Sequence, residues 1–130
     1  MYQKGSIMTD TELLEFVAKA EGRILTYMTP FIEGRESETL IVGWNPLMDD
    51  GDAFKLSVKL GLVVSAGHQT YTTDTDTWHA WAMTEDDMFY NSVEYSKSSG
   101  DAYAATRRAI VLAAVDMGKA FALTSLQKHR

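Results

Sequence analysis

The chain predicts an α+β fold: a single-domain α-β-α sandwich with three helices and a mixed or mainly antiparallel sheet of about four to five strands. Three observations predict it. Apolar residues recur at helical spacing in three stretches that carry cap residues. Runs rich in β-branched and aromatic residues lie between them. The third is a two-faced aromatic hairpin. Both of its faces are apolar near the turn, which requires a cover on each side, and the helices supply the covers.

The first helix is expected over about residues 10 to 21. Thr9 and Glu12 stand at capping-box spacing, Leu13, Phe16, Val17 and Ala20 form one stripe, and Gly22 is a stop signal. "RILTYMTPFI" follows, short and broken by Pro30, and then "ETLIVGW" at 38 to 44, the first clear strand. With "EGRES" between them as a turn, residues 24 to 28 are expected to pair with 38 to 43.

"WNPLMDDGDAFKLSVKLGL" at 44 to 62 reads as a helix and its lead-in. Pro46 pushes Asn45 to an extended conformation, and Asp49 or Asp50 suits the free amides and positive end of a helix first turn. Ala53, Leu56 and Leu60 form its stripe, with Phe54 and Val58 beside it, and Gly61 closes it. "LVVSAG" is the next strand. "TYTTDTDTWHAWAM" and "MFYNSVEYS" flank the acidic turn "TEDD" as a hairpin. With Met83 facing Met88, one face carries Trp78, Ala80, Ala82, Phe89, Val93 and Tyr95, and the other Trp81, Met83, Met88 and Tyr90. The last helix starts at the cap-competent Ser98, Ser99 and Asp101 and runs to about 123, with Tyr103, Ile110, Ala114, Met117 and Phe121 as its main stripe.

The organisation expected is therefore a flexible extension at 1–8, one α+β domain at 9–124, and a frayed tail at 125–130. At 130 residues and 45% hydrophobic content, the chain has material for one core. There is no cysteine, hence no disulfide, zinc-thiolate site or thiol nucleophile. The longest aliphatic run, "AIVLAAV" at 109 to 115, is far short of a membrane span, so a soluble cytoplasmic chain without membrane contact is expected. The net charge of −6 argues against direct nucleic-acid binding and for a partner with a basic surface.

The "WNPLMDDGDAFKLSVKLGL" stretch, the tryptophan-bearing hairpin at 78 to 95 and the "ATRRAIVLAA" of the last helix resemble the small phage and prophage proteins of the phage ABA sandwich domain family. "GRIL" stands where that family often has a tryptophan after the first helix. The resemblance implies an α-β-α sandwich and a phage or prophage origin, and brings no activity, cofactor or catalytic residue.

Several residues are candidates for chemistry. Asp49, Asp50 and Asp52 lack the spacing and closing glutamate of a calcium loop, and helix capping accounts for them. His68, His79 and His129 are dispersed and form no metal-ligand motif. No serine elbow, P-loop or dinucleotide fingerprint occurs, so no catalytic residue, cofactor or metal is assigned.

Two groups remain. The acids Asp74, Asp76, Glu85, Asp86 and Asp87 sit at the two ends of the hairpin strand, and with Trp81 and Tyr90 they form a candidate protein interface, since aromatics dominate binding hot spots. Trp44 and Tyr71 would join it if exposed. His79, Arg107 and Arg108 are the candidates for an alternative ligand pocket at the sheet edge.

The function expected is that of a non-enzymatic phage or prophage accessory protein that binds a basic host protein, in its most specific form an inhibitor of a bacterial defence system such as a CRISPR effector. The alternative is a small-molecule or nucleotide binder, a sponge or minor enzyme. A homodimer packed through the alanine-rich helix is the third possibility.

Overall fold

The structure is a computed structural model that describes residues 8–31, 33–34, 39–69 and 75–128. Its elements are α1 (Asp10–Glu21), β1 (Tyr27–Met28), β2 (Leu40–Ile41), α2 (Asp50–Leu60), β3 (Val63–Gln69), β4 (Thr77–Met83), β5 (Tyr90–Ser96) and α3 (Ala102–Lys128). The α+β class is as expected, with three helices and antiparallel strands among the described residues. The strands divide into two sheets, β1-β2 and β3-β4-β5.

Local chemistry sets the ends of the first two helices. Thr9 and Glu12 form a reciprocal capping box, and Gly22 closes α1 in the left-handed conformation at φ 78°. Asp49 caps α2 by accepting from the Asp52 amide at 2.8 Å. Asp52 in turn accepts from the Asn45 amide at 2.9 Å, and Gly61 ends the helix at φ 67°. The acidic run of Asp49, Asp50 and Asp52 thus starts a helix. The small sheet pairs Tyr27 with Ile41 and Met28 with Leu40, inside the expected hairpin, and the Tyr27 hydroxyl ties it to Glu15 of α1 at 2.8 Å.

Residue burial places α3 at the centre. Ala105, Ala109, Ile110, Val111, Ala113, Ala114 and Val115 are all buried, on every side of the helix. α3 packs on β3, β4 and β5 with one side and on α1 and α2 with the other. A helix apolar all round is one that is enclosed, and this is why the "AIVLAAV" run exists. Small residues permit it. Ala80 and Ala82 of β4 are fully buried against α3, and Gly118 lets the α1 backbone approach at Phe16.

Three expectations are corrected here. The expected stripe on α3 is buried at Ile110 and Ala114, but its ends Tyr103 and Phe121 are exposed, because the enclosed part of α3 lies between them. The helix continues to Lys128 instead of stopping near 123. Met8 packs against the core instead of belonging to an extension.

The covers also differ. α3 lies on the Ala80 and Ala82 face of the sheet, while the opposite face stays half-exposed among the described residues. Phe54 and Val58 likewise point away from the core formed by Ala53 and Leu56.

Candidate functional site

The half-exposed sheet face is built by strand alternation. In the β4–β5 ladder Met83 stands opposite Tyr90, Trp81 opposite Ser92 and His79 opposite Glu94. β3 continues two of these rows with Val63 opposite Met83 and Ser65 opposite Trp81. The register is displaced by two residues from the expected pairing of Met83 with Met88. A two-residue shift preserves which side chains share a face, so the expected division into two faces holds.

The outcome is an apolar strip across the outer face: Val63, Met83 and Tyr90 in one row, and Trp81 in the next. The Trp81 and Tyr90 rings lie 6.1 Å apart with a 34° tilt. Met88, at the tip, and Tyr90 are 70% and 55% exposed, so the strip meets solvent directly. His79 is bonded to Glu94 across the ladder at 3.2 Å.

The acids separate into two kinds. Asp86 organises the six-residue turn. Its Oδ1 accepts from the Thr84 hydroxyl at 2.6 Å and from the Met88 amide at 3.1 Å. These bonds favour the charged form and hold its carboxyl below the usual range, the Thr84 hydroxyl contributing most. Asp87 takes the left-handed conformation at φ 60° that the turn needs. Glu85 and Asp87 are exposed at the tip.

At the far end Asp76 accepts from the Ser96 hydroxyl and from the Ser98 amide at 2.8 Å, and its carbonyl accepts from the Lys97 amide at 2.7 Å. The hydroxyl of Ser96 is the first cause of its lowered pKa, followed by Ser98. Asp76 and Asp86 are therefore committed to the fold, and Glu85, Asp87 and Glu94 are the acids that face outward. Asp74 and Tyr71 lie outside the described residues. Trp44 is not part of the face: it is buried, with the Arg23 guanidinium 4.7 Å above its ring.

The alternative set does not converge. His79 stands on the outer face, while Arg107 lies across the sheet on α3. Arg107 donates to the Leu47 carbonyl at 2.8 Å and to Asp50 at 2.6 Å, pinning the lead-in of α2 to α3. Arg108 is exposed one residue further round the helix.

A different cavity is present, a cleft of about 740 Å³ between α2, β3 and the start of α3. Phe54, Val58, Val64, Ala66, Tyr103 and Ile110 give it an apolar lining, with Arg107 and Asp50 at one end. Phe54 and Val58, four residues apart and off the buried stripe, were its signal in the sequence. Among the described residues no cluster of three or more His, Asp or Glu is arranged to hold a metal ion, and no helix is long and apolar enough to cross a membrane.

No protein-family model, no curated protein and no solved structure matches the chain.

Proposed function

We propose that the chain is a non-enzymatic binding protein that docks a basic protein surface onto the outer face of β3-β4-β5. The observation that carries this reading is the half-exposed strip of Trp81, Met83, Tyr90 and Val63, continued by the exposed Met88 and bordered by Glu85, Asp87 and Glu94. Aromatic and methionine side chains supply desolvation energy at a contact, and outward acids set the orientation and the encounter rate of a cationic partner. The resemblance of the sequence to the phage ABA sandwich family supports a partner from a bacterial host, and a protein of a host defence system, such as a CRISPR effector, is the most specific form of the proposal.

The test is affinity capture of the tagged chain from bacterial lysate at low and high salt, read by mass spectrometry. Two variants run in parallel. The first, Met88→Ser with Tyr90→Ser, removes apolar area. The second, Glu85→Lys with Asp87→Asn, removes outward charge while keeping a residue tolerant of the left-handed turn position. One stoichiometric basic partner, lost in both variants and weakened by salt, is expected. A partner held equally by both variants would move the site elsewhere.

The cleft favours a second reading, a small-molecule binder. Its volume falls within the roughly 300–1,000 Å³ of ligand pockets, and its apolar lining fits an uncharged, largely hydrophobic ligand. Native mass spectrometry of the purified chain tests this, a bound small molecule displacing in favour of the cleft.

A further inference from the structure

The two edges of the three-stranded sheet are not alike. β3 carries a register shift between Ser65 and His68 and lines one cleft together with α2. Bulges and neighbouring elements of this kind blunt an edge against further pairing. β5 has neither. Its seven residues, "YNSVEYS", pair with β4 in unbroken register from Tyr90 to Ser96. The strand contains no proline, lysine or arginine, the residues that usually protect an edge. Among the described residues no strand pairs with its other side. The Ser96 carbonyl at its end is taken by the Gly100 amide at 2.7 Å, and from Tyr90 to Glu94 the strand presents backbone donors and acceptors whose natural complement is another extended chain.

We propose that the partner of the outer face docks as an extended strand along the free edge of β5, with basic side chains at the alternate positions that point to the outer side. This inference rests on the protein-binding reading above and specifies its mode.

Side chains set the chemistry of the occupant. An added strand brings its own alternate residues to within about 5 Å of Tyr90, Ser92 and Glu94. Glu94 is 71% exposed in its side chain and lies mid-strand, while Glu85 and Asp87 stand at the turn beside the first residue of β5. Lysine or arginine complements these charges and lays its methylene stem along the Tyr90 ring. The other side of the added strand faces the flank of α3, where Asn91 is bonded to Asp116 at 2.9 Å. A second copy is the poorer occupant, because each chain carries −6 and presents the same acidic edge.

The experiment measures amide hydrogen exchange and amide chemical shifts of the full chain with three capped synthetic peptides: alternating Lys/Val, alternating Glu/Val, and the chain's own "YNSVEYS". The Lys/Val peptide is expected to slow exchange at the outward amides of β5, saturably and less at high salt, at least tenfold more than the Glu/Val peptide at equal concentration. Glu94→Lys, an exposed site whose far-UV spectrum should match the parent, is expected to abolish that preference.

Absence of protection at β5, or equal protection by both alternating peptides, overturns the proposal. So does protection by the chain's own peptide together with a dimer in light scattering, which would assign the edge to a second copy. A captured partner that binds while the β5 amides stay unprotected overturns the strand mode and leaves the outer-face reading standing. Loss of any captured partner removes that reading itself.

Discussion

Gly118→Ala sets two effects of opposite sign against each other. Gly118 is buried in the interior of α3, where alanine would gain about 1 kcal/mol in helix propensity. The structure opposes this. A β-carbon at 118 would overlap the Phe16 carbonyl oxygen and lie 2.7 Å from its carbon, backbone atoms of α1 that cannot rotate away.

Relief requires α1 to move off α3 by on the order of 1 Å, which forfeits roughly a quarter to a half of the dispersion at that contact. α1 buries Leu13, Leu14 and Val17, worth about 4.5–9 kcal/mol together at about 1.5–3 each. The loss is about 1–4 kcal/mol, and after the propensity gain of about 1 kcal/mol the net is a destabilisation of about 0–3 kcal/mol. In a domain of this size that lowers Tm by up to about 12 °C.

Urea unfolding followed by circular dichroism measures it, the midpoint falling with the slope unchanged. A variant more stable than the parent would refute the close crossing of α1 on α3.

Arg107→Met removes both donors to Leu47 and Asp50 from a side chain that is 13% exposed. It should cost about 1–3 kcal/mol in chemical denaturation, and a neutral result would return Arg107 to the ligand-binding candidates. Asp76 has a folded-state pKa below its ordinary 3.8. Its contribution is therefore present above that value and lost as pH falls through the lower folded value, so acid unfolding of Asp76→Asn should show a shallower loss of stability below pH 3.8 than the parent. Tyr27 behaves oppositely. The hydrogen bond to Glu15 raises its pKa above 10.0, so that contribution is present below 10.0 and lost as pH rises through the higher folded value; Tyr27→Phe should weaken this alkaline limb. Asp87→Val should lower stability by about 1–2 kcal/mol for a β-branched residue at positive φ, whereas Asp87→Gly should stay close to the parent in thermal melts.

The candidate face was partly legible before the structure. Trp81, Tyr90 and the tip acids were identifiable because strand alternation has a strict period of two, and the two-residue register error left the paired residues of β4 and β5 on their assigned faces while Met88 and Phe89 fell in the turn. The roles of Asp76 and Asp86 were not legible. Both look like surface charge in the sequence: the return of Ser96 and Ser98 in space makes Asp76 an acceptor within the fold, and the conformation of the turn brings the Thr84 hydroxyl and the Met88 amide onto Asp86. The same holds for Arg107, whose partners are 60 and 57 positions away in the chain.

Sequence alone determined the elements that depend on neighbours within one turn of chain: the Thr9–Glu12 box, the Asp49 cap, the glycine stops at 22 and 61, and the alternating hairpin. Those rules act over three or four residues and are complete in the local chain. Tertiary structure decided everything that depends on what lies across a contact. α3 became the enclosed helix because Ala80, Ala82 and Gly118 let a sheet and a second helix approach it from two sides. One sheet face stayed open because α1 and α2 packed on α3, and the β5 edge stayed open because no other described strand pairs with it. Burial is a property of pairs of surfaces, and a single strand or helix carries only half of that information.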